Sequence, residues 1–302
     1  MSLFLKYILY IIISFLLAVF SIFYLVDGHD SSYYLKFTSK KQTSLILGNS
    51  RSAQGIRPDI INAILDRNDI YNYAFTLSSS PYGQLYFNSI KNKLTKKEID
   101  GIFIIEVSPR SISINQKNEK ESSNFRESDK ILAISYVNYS PNFHYLFTRY
   151  PKKYFNILLK DKNLFLHDDG WLEVTVPMDS ISVQKRTVEH FKMKEDQVYN
   201  WKISDYRIES LYSIIKYLKK YGDVYLIRMP LSKIMIDFET IISSDFEIIM
   251  KKISKDLSVE YFSFFNDNEN YKFTDGNHLH KESALRFSKI LAYKLKMNMK
   301  DK

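Results

Sequence analysis

The chain has 302 residues, of which 45% are hydrophobic and 25% charged, with a formal net charge of +9 and no cysteine. This length suits one large or two small domains with a well-buried core, and the missing cysteine excludes thiolate catalysis, disulfides and cysteine-ligated metal. The positive charge does not point to nucleic acid, because lysines and arginines alternate with acids, as in KLTKKEID (93–100) and KMKED (192–196), without a compact basic block.

The first element is residues 7–26, YILYIIISFLLAVFSIFYLV, an uncharged run long enough to span a bilayer as a helix. Lys6 precedes it and Asp27, His29 and Asp30 follow, so the charge bias places the N-terminus inside and the rest outside. A cleaved signal peptide would have a shorter apolar core and a small-x-small site; here Phe, Tyr, Leu and Val occupy that place. The expectation is an uncleaved signal anchor over residues 1–30, a membrane contact through 7–26, and an extracytoplasmic domain over 31–302.

Residues 43–47 have the length and apolar end of a buried strand. They run into Gly48, Asn49 and Ser50, and Pro58 then opens a helix with Ile60, Ile61, Ile64 and Leu65 as apolar positions. A second strand is expected over 70–75 and a helix over 82–94. A third strand, GIFIIEV (101–107), is closed by Ser108 and Pro109. Residues 111–204 break this rhythm and read as a helical and irregular insertion, with an exposed loop over 118–130 and a turn at 167–171. The rhythm returns at 205. A helix carries Ile208, Leu211, Ile214, Ile215 and Leu218, and a strand follows over 223–229. A helical stretch is expected over 238–257, a strand over 258–262, and a last helix from Lys281.

Strands alternating with helices predict a mainly parallel sheet in a three-layer α/β/α sandwich. Sites in such sheets lie beyond the carboxyl ends of the strands. That edge holds residues 48–50, 78–80 and 108–110 and the loop carrying Asp275.

Ser50 follows the first strand. A serine hydroxyl needs a base to act as a nucleophile, and the base is commonly a histidine oriented by a carboxylate. His144, His167 and His190 fall in the insertion and read as surface or packing residues. His278 lies in FTDGNHLHKESALRFSKIL (273–291), three residues after Asp275, in a turn before the last helix. His280 beside it is poor evidence for a metal, and no metal site or cofactor is expected.

The segments ILGNSRS and DGNHL resemble the SGNH, or GDSL-like, hydrolase superfamily, which implies a flavodoxin-like sandwich. The membrane anchor, GNSRSAQGIRP, YLIRMP and the terminal DGNHL resemble, more specifically, membrane-anchored envelope proteins of the DltD-like and alginate-acetylation-like kind. The likeness spans about residues 43–110 and 205–297. It implies Ser50 as nucleophile, His278 as base and Asp275 as its orienting partner. Asn49 stands where the family often has Asp. The second block, NYAFTLSSSPYG, has no Gly before Gly83, and the third, EVSPRS, has no Asn. Candidate oxyanion donors are therefore Ser50, Ser78, Ser79 and Ser108. Asn49, Arg51, Arg110 and Trp171 are candidates for substrate binding. Arg51, like Arg110 and Arg228, could equally pair with a carboxylate, and Trp171 could stack on a sugar or pack within the insertion.

The function expected is a serine esterase or O-acyltransferase at the outer membrane face, acting on an acylated cell-envelope glycan or related polymer. A membrane-bound acyltransferase is implied as a partner by the resemblance alone. The alternative is a non-catalytic binding or assembly component for envelope polysaccharide.

Overall fold

The computed structural model describes residues 3–29, 31–96, 100–117, 125–133, 138–150, 157–160, 163–195 and 198–300. Part of the loop expected over 118–130, namely 118–124, lies outside them, as does 196 of KMKED.

Five strands form the central sheet: β1 (Ser44–Leu47), β2 (Ile70–Asn72), β3 (Gly101–Glu106), β8 (Gly222–Arg228) and β9 (Glu260–Ser263). Their order is β2-β1-β3-β8-β9 and every pairing is parallel. Chain order reverses direction between β1 and β3, which makes their carboxyl ends the crevice where ligands bind in doubly wound sheets.

Strand side chains alternate between two cores. Ile46, Ile102, Ile104 and Ile227 face α4 (Pro58–Leu65) and α11 (Lys281–Lys300), joining Ile61, Phe287, Leu291 and Leu295. Leu45, Leu47, Phe103 and Ile105 face the opposite layer of α5 (Gln84–Lys93), α8 (Asp205–Leu218) and α10 (Phe246–Leu257), through Tyr86, Ile90, Leu211, Ile214 and Met250. The fold is thus the three-layer α/β/α sandwich.

Three expectations change. The stretch 238–257 is two helices, α9 (Lys233–Ile242) and α10, because Ser243 turns extended and its hydroxyl donates to Asp245 instead of continuing the helix. The second strand stops at Asn72, although the N–H groups of Tyr73 and Phe75 still donate to the carbonyls of Ile46 and Gly48. The insertion also holds more regular structure than its composition suggested. It contains a β4–β7 pair (Ser113–Asn115, Trp201–Ile203), a β5–β6 pair (Leu164–Leu166, Leu172–Val174), α6 (Phe143–Thr148) and the sixteen-residue α7 (Ser180–Glu195). Helix α7 is polar with Ile181 79% exposed, so it lacks the apolar stripe that marks a helix in sequence. Asp179 starts it by accepting from the Ser182 N–H.

The N-terminal helix α1 (Leu3–Phe23) is long and apolar enough to cross a membrane, and none of its most apolar window is buried. At its end, Phe20 and Phe23 meet Phe143 and Phe147 of α6 edge-on, which ties the helix to the insertion.

Candidate active site

Gly48 begins the site. Its φ of +138° is rarely open to other residues, and a Cβ there would lie 2.6 Å from the Ser52 Oγ and 2.8 Å from the Glu106 Cβ. The chain can therefore turn sharply off β1. Asn49 then caps the short helix α3 (Ser50–Gly55), its Oδ1 accepting from the Arg51 N–H at 2.9 Å. Ser50 is the first residue of that helix, set at the mouth of the β1/β3 crevice.

The histidine arrives from a loop before α11. A bridge between Phe273 and Leu279 closes this loop, and Gly276 supplies a left-handed φ of +76°. Asp275 Oδ1 accepts from the backbone N–H groups of Asn277 (3.0 Å) and His278 (2.9 Å), a turn that fixes the carboxylate. Its Oδ2 lies 2.8 Å from His278 Nδ1, and His278 Nε2 lies 2.9 Å from the Ser50 Oγ. With the carboxylate accepting from Nδ1–H, Nε2 is left as the acceptor for the serine hydroxyl. Burial works against the Asp275 charge, but the charge and hydrogen bonds of His278, with the charge of His190, hold its carboxyl well below the usual range.

The sequence places His190 in the insertion, as a surface or packing residue. The structure puts its Nδ1 3.7 Å from Asp275 Oδ2 and its ring 5.8 Å from that of His278. It stands on α7, whose Arg186 Nε donates to the Thr274 carbonyl at 2.8 Å. The insertion thus clamps the histidine loop. No motif surrounds His190, so only the packing of α7 could reveal it.

Arg51 is committed to the interior. Its Nη1 pairs with Glu239 Oε1 at 2.5 Å and its Nε donates to Asn277 Oδ1 at 2.9 Å. Arg228 takes the other Glu239 oxygen at 3.0 Å. Glu239 is buried, yet the two guanidiniums hold its carboxyl below the ordinary value. Of the two roles open to Arg51 and Arg228, carboxylate pairing is the one present, and Arg51 links the serine turn to the histidine loop. Trp171 is likewise a packing residue. It is 3% exposed, its Nε1 donates to the Gln54 carbonyl, and it stacks between His167 and the Arg57 guanidinium.

The proposed oxyanion donors divide. The Ser79 N–H donates to the Thr76 carbonyl, and the Ser78 and Ser79 hydroxyls bond Thr76 Oγ1. The Ser108 N–H donates to Ser111 Oγ, while its hydroxyl accepts from Asn49 Nδ2 at 3.3 Å. The amide hydrogens of Ser79 and Ser108 are therefore spent within their own turns, the physical reason these two do not fit the donor role. The Ser50 N–H, at the start of α3, is the remaining candidate; the Asn49 N–H donates to Glu106 Oε2 at 3.3 Å and its Nδ2 to Ser108 Oγ, which leaves that side chain one further hydrogen. Beneath them, burial pushes the Glu106 carboxyl up to about 7. Arg110 lies against Trp201, at 4.7 Å from its ring.

No family model matches the chain, and no curated protein does. Among solved structures it is similar to a carbohydrate acetylesterase from Sinorhizobium meliloti (10% identity, 85% of this chain and 99% of that one, TM-score 0.41). It is also similar to a protein from Lactobacillus plantarum (11%, 87% and 98%, TM-score 0.43) and to the M. smegmatis aryl esterase (8%, 84% and 99%, TM-score 0.40). At such identities and TM-scores the likeness says nothing of substrate, and the chemistry rests on the side chains above.

Proposed function

We propose that the chain is a membrane-anchored serine esterase or O-acyltransferase whose domain works outside the cytoplasm on an acylated envelope glycan. The observation that carries the ester chemistry is the continuous hydrogen-bonded line from Ser50 Oγ through His278 to Asp275, at 2.9 and 2.8 Å. The anchor reading is supported by α1, and the glycan reading by the sequence resemblance.

As the Ser50 Oγ bonds to the ester carbonyl carbon, its proton passes to His278 Nε2 and the carbonyl electrons move onto oxygen. Asp275 stabilises the imidazolium. The oxyanion is held by the Ser50 N–H and the second hydrogen of Asn49 Nδ2, in place of the missing glycine and asparagine donors of the second and third blocks. Collapse expels the alcohol, which takes the Nε2 proton, and leaves an acyl-serine. Water or a sugar hydroxyl then gives its proton to Nε2 and bonds to the acyl carbon, and the Ser50 Oγ–carbon bond breaks as Oγ takes the Nε2 proton back.

The test is labelling of the purified chain with a fluorophosphonate. Labelling lost in Ser50→Ala but kept in Ser52→Ala is the expected result. Labelling that survives Ser50→Ala would sink the assignment. No labelling of a folded chain would favour the second reading, a glycan-binding component, to which the spent Ser79 and Ser108 donors lend some weight.

A further inference from the structure

Arg110 sits in the 3-10 turn Pro109–Ile112 just past β3, at the same sheet edge as Ser50. The Ser108–Asn49 hydrogen bond ties that turn to the serine turn. The Arg110 guanidinium lies on Trp201, and the Arg126 guanidinium lies 4.8 Å from the same ring while its Nη2 donates to the Arg110 carbonyl. The Arg110 Nε is buried without an acceptor. Among the described residues no carboxylate pairs with this side chain. Glu239, the acid among the described residues whose charge acts on Arg110, already holds both Arg51 and Arg228. Burial, with the charges of Arg126 and Arg51 adding to it and Glu239 opposing, pushes the Arg110 guanidinium down to about 9.

A half-buried cation among like charges, with its Nε buried, is costly unless a counter-charge arrives. A guanidinium fixed on an indole face also presents its fork in one orientation, suited to the planar or tetrahedral oxygens of carboxylate and phosphate.

We propose that Arg110 is an anion-recognition residue at this edge, so that the substrate carries a carboxylate or phosphate group near its ester. This rests on the ester reading for the word substrate, but the anion site stands on its own geometry. The bound anion would supply the charge Arg110 lacks and share the positive field of Arg126.

The experiment uses the full chain in detergent, with inorganic phosphate and glucuronate as probes. Intrinsic tryptophan fluorescence follows binding, because Trp201 carries the Arg110 stack. Fluorophosphonate labelling of Ser50 is followed in parallel. Saturable binding in the millimolar range or tighter is expected for at least one anion, with labelling slowed in its presence, and the stronger probe separates phosphate from carboxylate. Arg110→Gln should weaken that binding by about tenfold or more. Arg110→Lys, which keeps the charge but not the fork, should fall between the two and serves if the glutamine variant does not fold. Absence of saturable binding in the wild-type chain, or equal binding in a folded Arg110→Gln or Arg110→Lys, overturns the proposal. Anion binding without any Ser50 labelling would leave the anion site standing and remove the esterase reading instead.

Discussion

Asp275→Asn separates geometry from chemistry at this centre. The asparagine Oδ1 can still accept from the N–H groups of Asn277 and His278, so the turn survives. The other arm changes sense. An amide NH2 at 2.8 Å from Nδ1 is a donor, so Nδ1 must become the acceptor and the ring proton moves to Nε2. Nε2–H then faces the Ser50 Oγ and cannot take its proton. The charge that steadies the imidazolium is lost as well. In triads where this exchange has been made the loss is about 10⁴-fold, or about 5 kcal/mol of barrier. The assay is the second-order rate of fluorophosphonate labelling, with hydrolysis of 4-nitrophenyl acetate as a second readout and circular dichroism as the control for fold. A folded Asp275→Asn chain reacting within tenfold of wild type would refute the orienting role of Asp275.

Three further outcomes follow from the same region. Glu106 has a folded pKa near 7, raised by burial above the unfolded value of 4.5, so the unfolded chain ionises first and stability falls as pH rises from about 4.5 to 7. The loss is on the order of 3 kcal/mol, and Glu106→Gln should remove it; urea unfolding at pH 5 and pH 8 reads both, and an unchanged pH slope would contradict the assignment. Asp275 has the opposite sign: its depressed pKa stabilises the fold above the unfolded value of 3.8 and the gain is lost as pH falls. His190→Ala removes one cause of that depression, so the acid-unfolding midpoint seen by circular dichroism should move to higher pH, and no shift would argue against contact in solution. Gly48→Ala must place a methyl against Ser52 and Glu106 at a positive φ; a destabilisation on the order of 2–3 kcal/mol or more is expected by chemical denaturation.

Much of the fold could be read along the chain because its determinants are local. Continuous apolar runs in 44–47 and 101–106, the proline opening α4 and the periodic face of α8 each specify an element from its own neighbours. The asparagine–serine turn after β1 and the Asp-x-x-His turn before α11 are equally local, since side chain bonds backbone within three residues in each. Helix α7 escaped because its polar face and exposed Ile181 give no period, and the break at Ser243 escaped because hydrogen-bonding side chains compete with a sequence otherwise suited to helix.

What lay beyond sequence is every relation made across the sheet. Ser50 and His278 are 228 positions apart and meet only because β1 and α11 share one edge of a parallel sheet. The partner of Arg51 was undecidable from its neighbours, since Glu239 comes from α9, and the packing of Trp171 depends on the carbonyl of Gln54. His190 and Arg110 acquire their surroundings from the insertion, the segment with the weakest periodicity. Local hydrogen bonding and side-chain alternation determine which turns this chain can form; the net charge, solvation and partners of each functional group depend on segments brought together by folding, and only the tertiary structure decides them.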